Sequence, residues 1–130
     1  MLIVKPIEDK NVQEDVCAAC GAVYDPEALA YAAREDEALI GDRQFKLGAG
    51  CADLLDLKAA TGVDDYEGMF ILARGTLNFI DLCGVHRARC KADAGDSRLL
   101  RAVGFRACGD DMLEMDLTGE FDGKCSHCKS

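Results

Sequence analysis

The sequence predicts an α+β domain: a mixed, mostly antiparallel central sheet with one parallel strand pair, flanked by about four helices. Three observations carry this. Short apolar runs broken by Gly, Asp and Pro recur along the chain as strand signals. Residues 64–82 hold one long helical stripe of apolar side chains. That helix joins a strand at 52–57 to a strand at 85–90, a crossover that places two parallel strands in the sheet.

In chain order, Leu2 to Ile7 reads as a first strand, with Pro6 near an edge. Val12, Val16, Cys17, Ala19 and Cys20 recur at helical spacing, and Gly21 stops that helix. Asp25-Pro26 reads as N-cap and first residue of a second helix ending near Arg34. Ala38-Leu39-Ile40 and Gln44-Phe45-Lys46-Leu47 read as two short strands around a Gly41-Asp42 turn. After Gly48-Ala49-Gly50, a strand runs from Ala52 to Leu57. In the long helix, Met69, Leu72, Ala73, Thr76, Leu77, Ile80 and Cys83 share one stripe. Gly84 ends it and Val85 to Cys90 is a strand. Asp96 or Ser97 caps a short helix, Leu99 to Val103, which stops at Gly104. Phe105–Cys108 and Asp111–Leu117 form a hairpin around Gly109-Asp110. Residues 1–117 are the domain and 118–130 a cysteine-containing tail.

At 130 residues, the chain has the size of one domain, and 49% hydrophobic residues suffice for a core. Asp and Glu number 24 against 15 Lys and Arg, a formal charge of -9. That balance argues against nucleic acid and anionic membranes as partners. The first apolar run, Leu2-Ile3-Val4, is broken by Lys5 and Pro6, too early for a secretory signal. A cytoplasmic, thiol-reducing setting is expected, so the eight cysteines point to packing, metal ligation or thiol chemistry.

This order of elements, with a glycine-bearing turn before the long helix and Leu99-Leu100-Arg101-Ala102-Val103-Gly104-Phe105 before the last hairpin, resembles the GNAT acyltransferase superfamily across residues 1–117. The resemblance implies an acyl-CoA-dependent N-acyltransferase with acetyl-CoA as the cofactor. It would lie where the two parallel strands splay, its pyrophosphate at the N-terminus of the long helix. The family's phosphate loop, Arg-x-x-Gly-x-Gly, falls on Val63 to Gly68, and only Gly68 matches. The resemblance thus implies cofactor contacts at Tyr66, Glu67, Gly68 and Met69. Against this, Asp64 as N-cap with Glu67 forms a capping box that uses the same N–H groups. The family's acid tyrosine falls on Leu100, and its asparagine after the fifth strand falls near Lys91-Ala92-Asp93. Asp53 and Asp56 are the candidates for a general base that would deprotonate an amine. Tyr24 and Tyr31 would border the acceptor, an amine-bearing small molecule or peptide, or else pack in the core or at its rim.

Two CxxC pairs, Cys17–Cys20 and Cys125–Cys128, are zinc half-sites by spacing. The implied topology sets them at opposite ends of the sheet. It places Cys83-Gly84-Val85-His86 at the tail's end, so Cys83, His86, Cys125 and Cys128 form a candidate structural zinc site. Cys83 on the apolar stripe and Cys17 and Cys20 one turn apart also fit simple burial. The alternative to an enzyme is a non-catalytic module of this fold whose cysteine tail binds zinc or a partner.

Overall fold

The computed structural model describes residues 1–121. Its elements are β1 (Leu2–Pro6), α1 (Lys10–Cys20), β2 (Leu29–Glu35), β3 (Ala38–Leu47), β4 (Ala52–Leu54), β5 (Lys58–Ala59), α2 (Tyr66–Leu82), β6 (Arg87–Lys91), α3 (Ser97–Val103), β7 (Arg106–Gly109) and β8 (Met112–Asp116). The strands form one sheet in the order β1-β2-β3-β4-β6-β8-β7, with β5 on β3. Only β4 and β6 run parallel, the pair that the α2 crossover requires. No helix of the described residues is long and apolar enough to cross a membrane.

The described residues hold three helices, not about four, because residues 29–35 are a strand. Asp25 does not cap a helix. Its carboxylate accepts from Glu27 N at 2.9 Å and meets Lys46 Nζ at 3.2 Å, which turns the chain. Leu29–Glu35 then pairs with β1 on one side and β3 on the other. Ladders on both edges outweigh the helix preference of an alanine-rich segment, which is worth only tenths of a kcal/mol per residue.

Likewise Ala38–Leu47 is one ten-residue strand, not two strands around a turn. It is buried from Ile40 to Phe45, on both faces of the sheet. Gly41 backs onto Met69 of α2, and Phe45 stacks edge-on with Phe79 of α2 at 6.1 Å. Asp42 and Gln44 point the other way, toward Cys17 and Gln13 of α1.

The stripe on α2 is as the period predicts. Met69, Leu72, Ala73, Thr76, Leu77 and Ile80 are buried, and Thr76 satisfies its hydroxyl on Leu72 O at 2.8 Å. Cys83 departs from it: it is the C-cap residue and is exposed. The main core gathers Phe45, Leu72, Leu77, Ile80, Leu100, Phe105 and Leu117. Each such side chain contributes about 1.5–3 kcal/mol by leaving water.

Candidate active site

The parallel ladder joins Ala52 to Ala88, Asp53 to Arg89 and Leu54 to Cys90, then ends. Beyond it the chain after β4 stays with β3 through β5, while β6 stays with β8. The strands therefore diverge at their C-terminal ends, where α2 and α3 begin. Two adjacent cavities lie there. One, of about 470 Å³, is lined by Tyr24, Asp25, Leu55, Asp56, Lys91 and Asp93 among others. The other, of about 370 Å³, is lined by Asp64, Asp65, Tyr66, Met69, Asp96 and Arg98 among others. Lys58 and Asp93 line both. A larger hollow of about 690 Å³ lies between β1, β2 and α1, but its charged residues are those of the surface, such as Lys5, Glu8 and Arg34.

Gln44 organises the wall of the first cavity. Its Nε2 donates to Val23 O at 2.8 Å and to Asp56 Oδ2 at 2.7 Å. Its Oε1 accepts from Gln13 Nε2 at 2.9 Å and from Asp25 N at 3.0 Å. Both donors and both acceptor positions of a buried amide are thus used. Together with the Lys46–Asp25 ion pair, this side chain holds the loop after α1 to β3.

Asp56 is 5% exposed, with Oδ1 on Gln44 N and Oδ2 on Gln44 Nε2, both at 2.7 Å. Burial raises its pKa, against the lowering effect of the Gln44 bonds and of Arg43. Asp42 lies within hydrogen-bond reach of it and is fully buried. Burial, then the charge of Asp56, pushes Asp42 up to about 8. Cys17 Sγ donates to Asp42 Oδ2 at 3.7 Å, and Asp42 Oδ1 has no donor. Burial, then the two aspartates, pushes the Cys17 thiol up to about 12; Cys20 reaches about 12 by burial and then Asp42. Arg43, on the opposite face of β3, is 1% exposed, and its Nε and Nη1 are unpartnered. Burial lowers its pKa to about 10, while Cys90, Asp56 and Asp42 favour its charge.

The sequence candidates separate. Asp56 faces a cavity, but Asp53 is exposed and tied to Arg89 Nε at 2.8 Å across the parallel pair. Tyr66 and Met69 line the second cavity; Met69 is 4% exposed and packed over Gly41. Glu67 is exposed and Gly68 buried, and neither lines it. The N-cap is Asp65, not Asp64: its Oδ1 accepts from Gly68 N at 2.9 Å. Asp96 caps α3 through Arg98 N and Leu99 N. Leu57 N donates to Ala94 O at 2.9 Å across the mouth of the splay. Gly95 permits this approach, since a Cβ there would sit 2.9 Å from Leu57 O. Tyr24 borders the first cavity, while Tyr31 packs in the core against Phe45 and Phe79. Leu100 is fully buried.

Of the proposed zinc ligands, Cys125 and Cys128 lie outside the described residues. Cys83 and His86 are exposed, and His86 Nδ1 is 2.6 Å from Asp81 Oδ1. Among the described residues no three His, Cys, Asp or Glu side chains are grouped to hold a metal ion. Sequence reasoning missed Gln13, Asp42, Arg43 and Gln44. The one trace of the last three was a polar run inside an apolar segment, beside a Gly41-Asp42 turn signal.

No protein-family model matches the sequence, and no curated protein matches it significantly. Solved structures do match it in shape. An IAA acetyltransferase from Bacillus cereus superposes with a TM-score of 0.73 at 14% identity, covering 90% of this chain and 100% of that one. A GNAT family acetyltransferase from Brucella melitensis, in complex with acetyl-CoA, gives 0.67 at 18% identity, covering 89% and 88%. An aminoglycoside 6'-acetyltransferase type Ii gives 0.69 at 14% identity, covering 88% and 97%. Identities this low speak to architecture alone. This chain has the fold of the GNAT acetyltransferase superfamily.

Proposed function

We propose that this chain is an N-acyltransferase that moves an acyl group from acyl-CoA to an amine-bearing small molecule or peptide. The observation that carries the reading is Asp56. It is a buried carboxyl of raised pKa, held by Gln44, at the wall of a cavity beside the β4–β6 splay. A base of this kind takes the proton that an ammonium must lose before its nitrogen can attack. Asp25 and Asp93 at the same cavity, and the net charge of -9, draw a cationic acceptor.

Acyl-CoA supplies a thioester activated toward amine attack. Lys58 and Arg98 are the cations of this crevice that suit its diphosphate. Asp64 and Asp65 repel it, and Asp65 must swing off Gly68 N before that amide can serve an anion. The donor set therefore fits the diphosphate end of the ligand poorly as it stands. The proton returned to the departing thiolate comes from solvent in this reading, because Leu100 provides none.

A non-catalytic module is the second reading, and one observation favours it. The amides at the splay and helix N-termini, Leu57 N, Gly68 N and Leu99 N, are already bonded within the chain. In that case the tail is the functional part, with Cys125 and Cys128 joining Cys83 and His86 on zinc. His86 suits this role, since a carboxylate on Nδ1 orients Nε2 for a metal.

Thermal unfolding with acetyl-CoA separates the readings, because a ligand bound only by the native state must raise Tm. Stabilisation by millimolar acetyl-CoA, with transfer to a polyamine or peptide amine, is expected from the first. No shift removes the first reading for acetyl-CoA. Elemental analysis then tests the second, and metal-free protein purified without chelators would remove its zinc site.

A further inference from the structure

We infer that Asp42 and Asp56 are a proton-sharing carboxyl pair at neutral pH, with Asp42 the protonated member that positions Asp56. The pairing rests on structure alone; its role in transfer rests on the acyltransferase reading above.

The two carboxyls lie within hydrogen-bond reach of each other, which two ionised carboxylates cannot use. The surroundings distinguish them. Asp56 has two strong donors, Gln44 N and Gln44 Nε2, and so is furnished as the anion. Asp42 has only weak donors, the Cys17 thiol at 3.7 Å and the Cys20 thiol beside it, and its Oδ1, shut off from water, has no donor at all. An ionised Asp42 would therefore bury a charged oxygen unpaired, among the costliest arrangements in a protein interior. A protonated Asp42 instead turns that deficit into a hydrogen bond donated to Asp56.

The charged and titratable neighbours agree. Cys17 and Cys20 face Asp42 from α1, and both remain thiols until far above neutrality. Arg43 from β3 is the buried cation that interacts with both aspartates. One proton shared by the pair leaves a single negative charge against that single positive charge. Two ionised aspartates would leave an excess buried anion. Burial and then the charge of Asp56 push the Asp42 carboxyl up to about 8, so the shared proton is kept at neutral pH.

In the reaction, an N–H bond of the acceptor ammonium breaks and an O–H bond forms on Asp56. The free amine keeps its electron pair for the acyl carbon. Asp42 holds its own proton throughout, and its hydrogen bond fixes the Asp56 carboxyl between β3 and the cavity. Asp42 is a positioning residue and touches no substrate.

Infrared spectra of the native protein at pH 6.5 test the pair, since solvent-exposed carboxyls are ionised there. A protonated-carboxyl C=O stretch is expected in the wild type, absent from Asp42→Asn and absent after unfolding. No such band, or a band that survives in Asp42→Asn, overturns the proposal. Should Asp42→Asn fail to fold, denaturing the wild type without buffer at pH 6.5 decides alone. Release of about one proton per chain supports the pair, and release of none overturns it. Acyl transfer against pH tests the role. An inflection near pH 8 is expected in the wild type and not in Asp42→Asn, with the acid limb unmoved. An inflection that persists in the variant overturns the positioning role while leaving the pair. A wild type that transfers nothing at any pH refutes the acyltransferase reading, and the infrared band still decides the pair.

Discussion

Gln44 grips Asp56 twice, with its backbone N–H on Oδ1 and its side-chain Nε2 on Oδ2, each at 2.7 Å. The same amide binds Val23 O, Asp25 N and Gln13 Nε2, so one residue of β3 ties together Asp56, the loop after α1 and α1 itself. The cavity wall is therefore tied directly to the middle of the sheet.

Gln44→Leu should be among the most damaging conservative-volume changes in the chain. It leaves Asp56, Gln13 and two loop backbone groups short of partners in a buried setting. A buried polar group without a partner costs about 1–3 kcal/mol. The expected loss is at least about 3 kcal/mol, since water reaches only some of these groups. Urea denaturation of the two proteins checks this; a loss under half that would show that the network is replaceable.

The thiols should divide sharply by reactivity. Cys17 and Cys20 are buried and their thiols are pushed up to about 12, whereas Cys83 and Cys108 are exposed. Since the thiolate is the nucleophile, alkylation at pH 8 should mark Cys83 and Cys108 within minutes, and Cys17 and Cys20 only as the chain unfolds. Peptide mapping by mass spectrometry reads out the order. The folded thiol pKa values lie above the unfolded value near 9, so their stabilising contribution is whole below pH 9 and is lost as pH rises toward 12.

At Asp65, charge and capping can be separated. Asp65→Ser keeps an oxygen for Gly68 N but takes a carboxylate out of the crevice. Its stability cost should stay below about 1 kcal/mol. If acyl-CoA binds there, its Kd should fall about fivefold or more, the scale of one close charge repulsion at a partly exposed site. Calorimetric titration of both proteins with acetyl-CoA decides it.

Gly41 on β3 has a steric reason to be glycine. A Cβ there would collide with Met69 Sδ and sit 2.7 Å from Lys58 O. Gly41→Ala should therefore cost about 2–3 kcal/mol, in the range of overpacked cores. Adding Met69→Ala should recover little, because the Lys58 carbonyl belongs to β5 and cannot move without breaking the ladder. Thermal denaturation of the single and double variants checks both statements.

The sequence by itself determined the fold class and the parallel crossover. The stripe from Met69 to Ile80, the crossover into residues 85–90 and the caps at Asp96 and Gly104 are local patterns, and the fold keeps them. It also marked Asp56 as a base candidate and exposed the departure from a phosphate loop at Val63 to Gly68. Only the tertiary structure decided that Leu29–Glu35 is a strand, because ladders supplied by β1 and β3 are remote in sequence. Only it separated Asp56 from Asp53, three residues apart, by burying one and pairing the other with Arg89. And only it revealed that Asp42, which reads as part of a turn, and the polar Arg43 and Gln44 beside it lie buried inside the sheet. Polarity along a chain predicts exposure because burial without partners is costly. Here α1, the loop before β2 and the turn after β4 bring most of the partners, and no local pattern records their arrival.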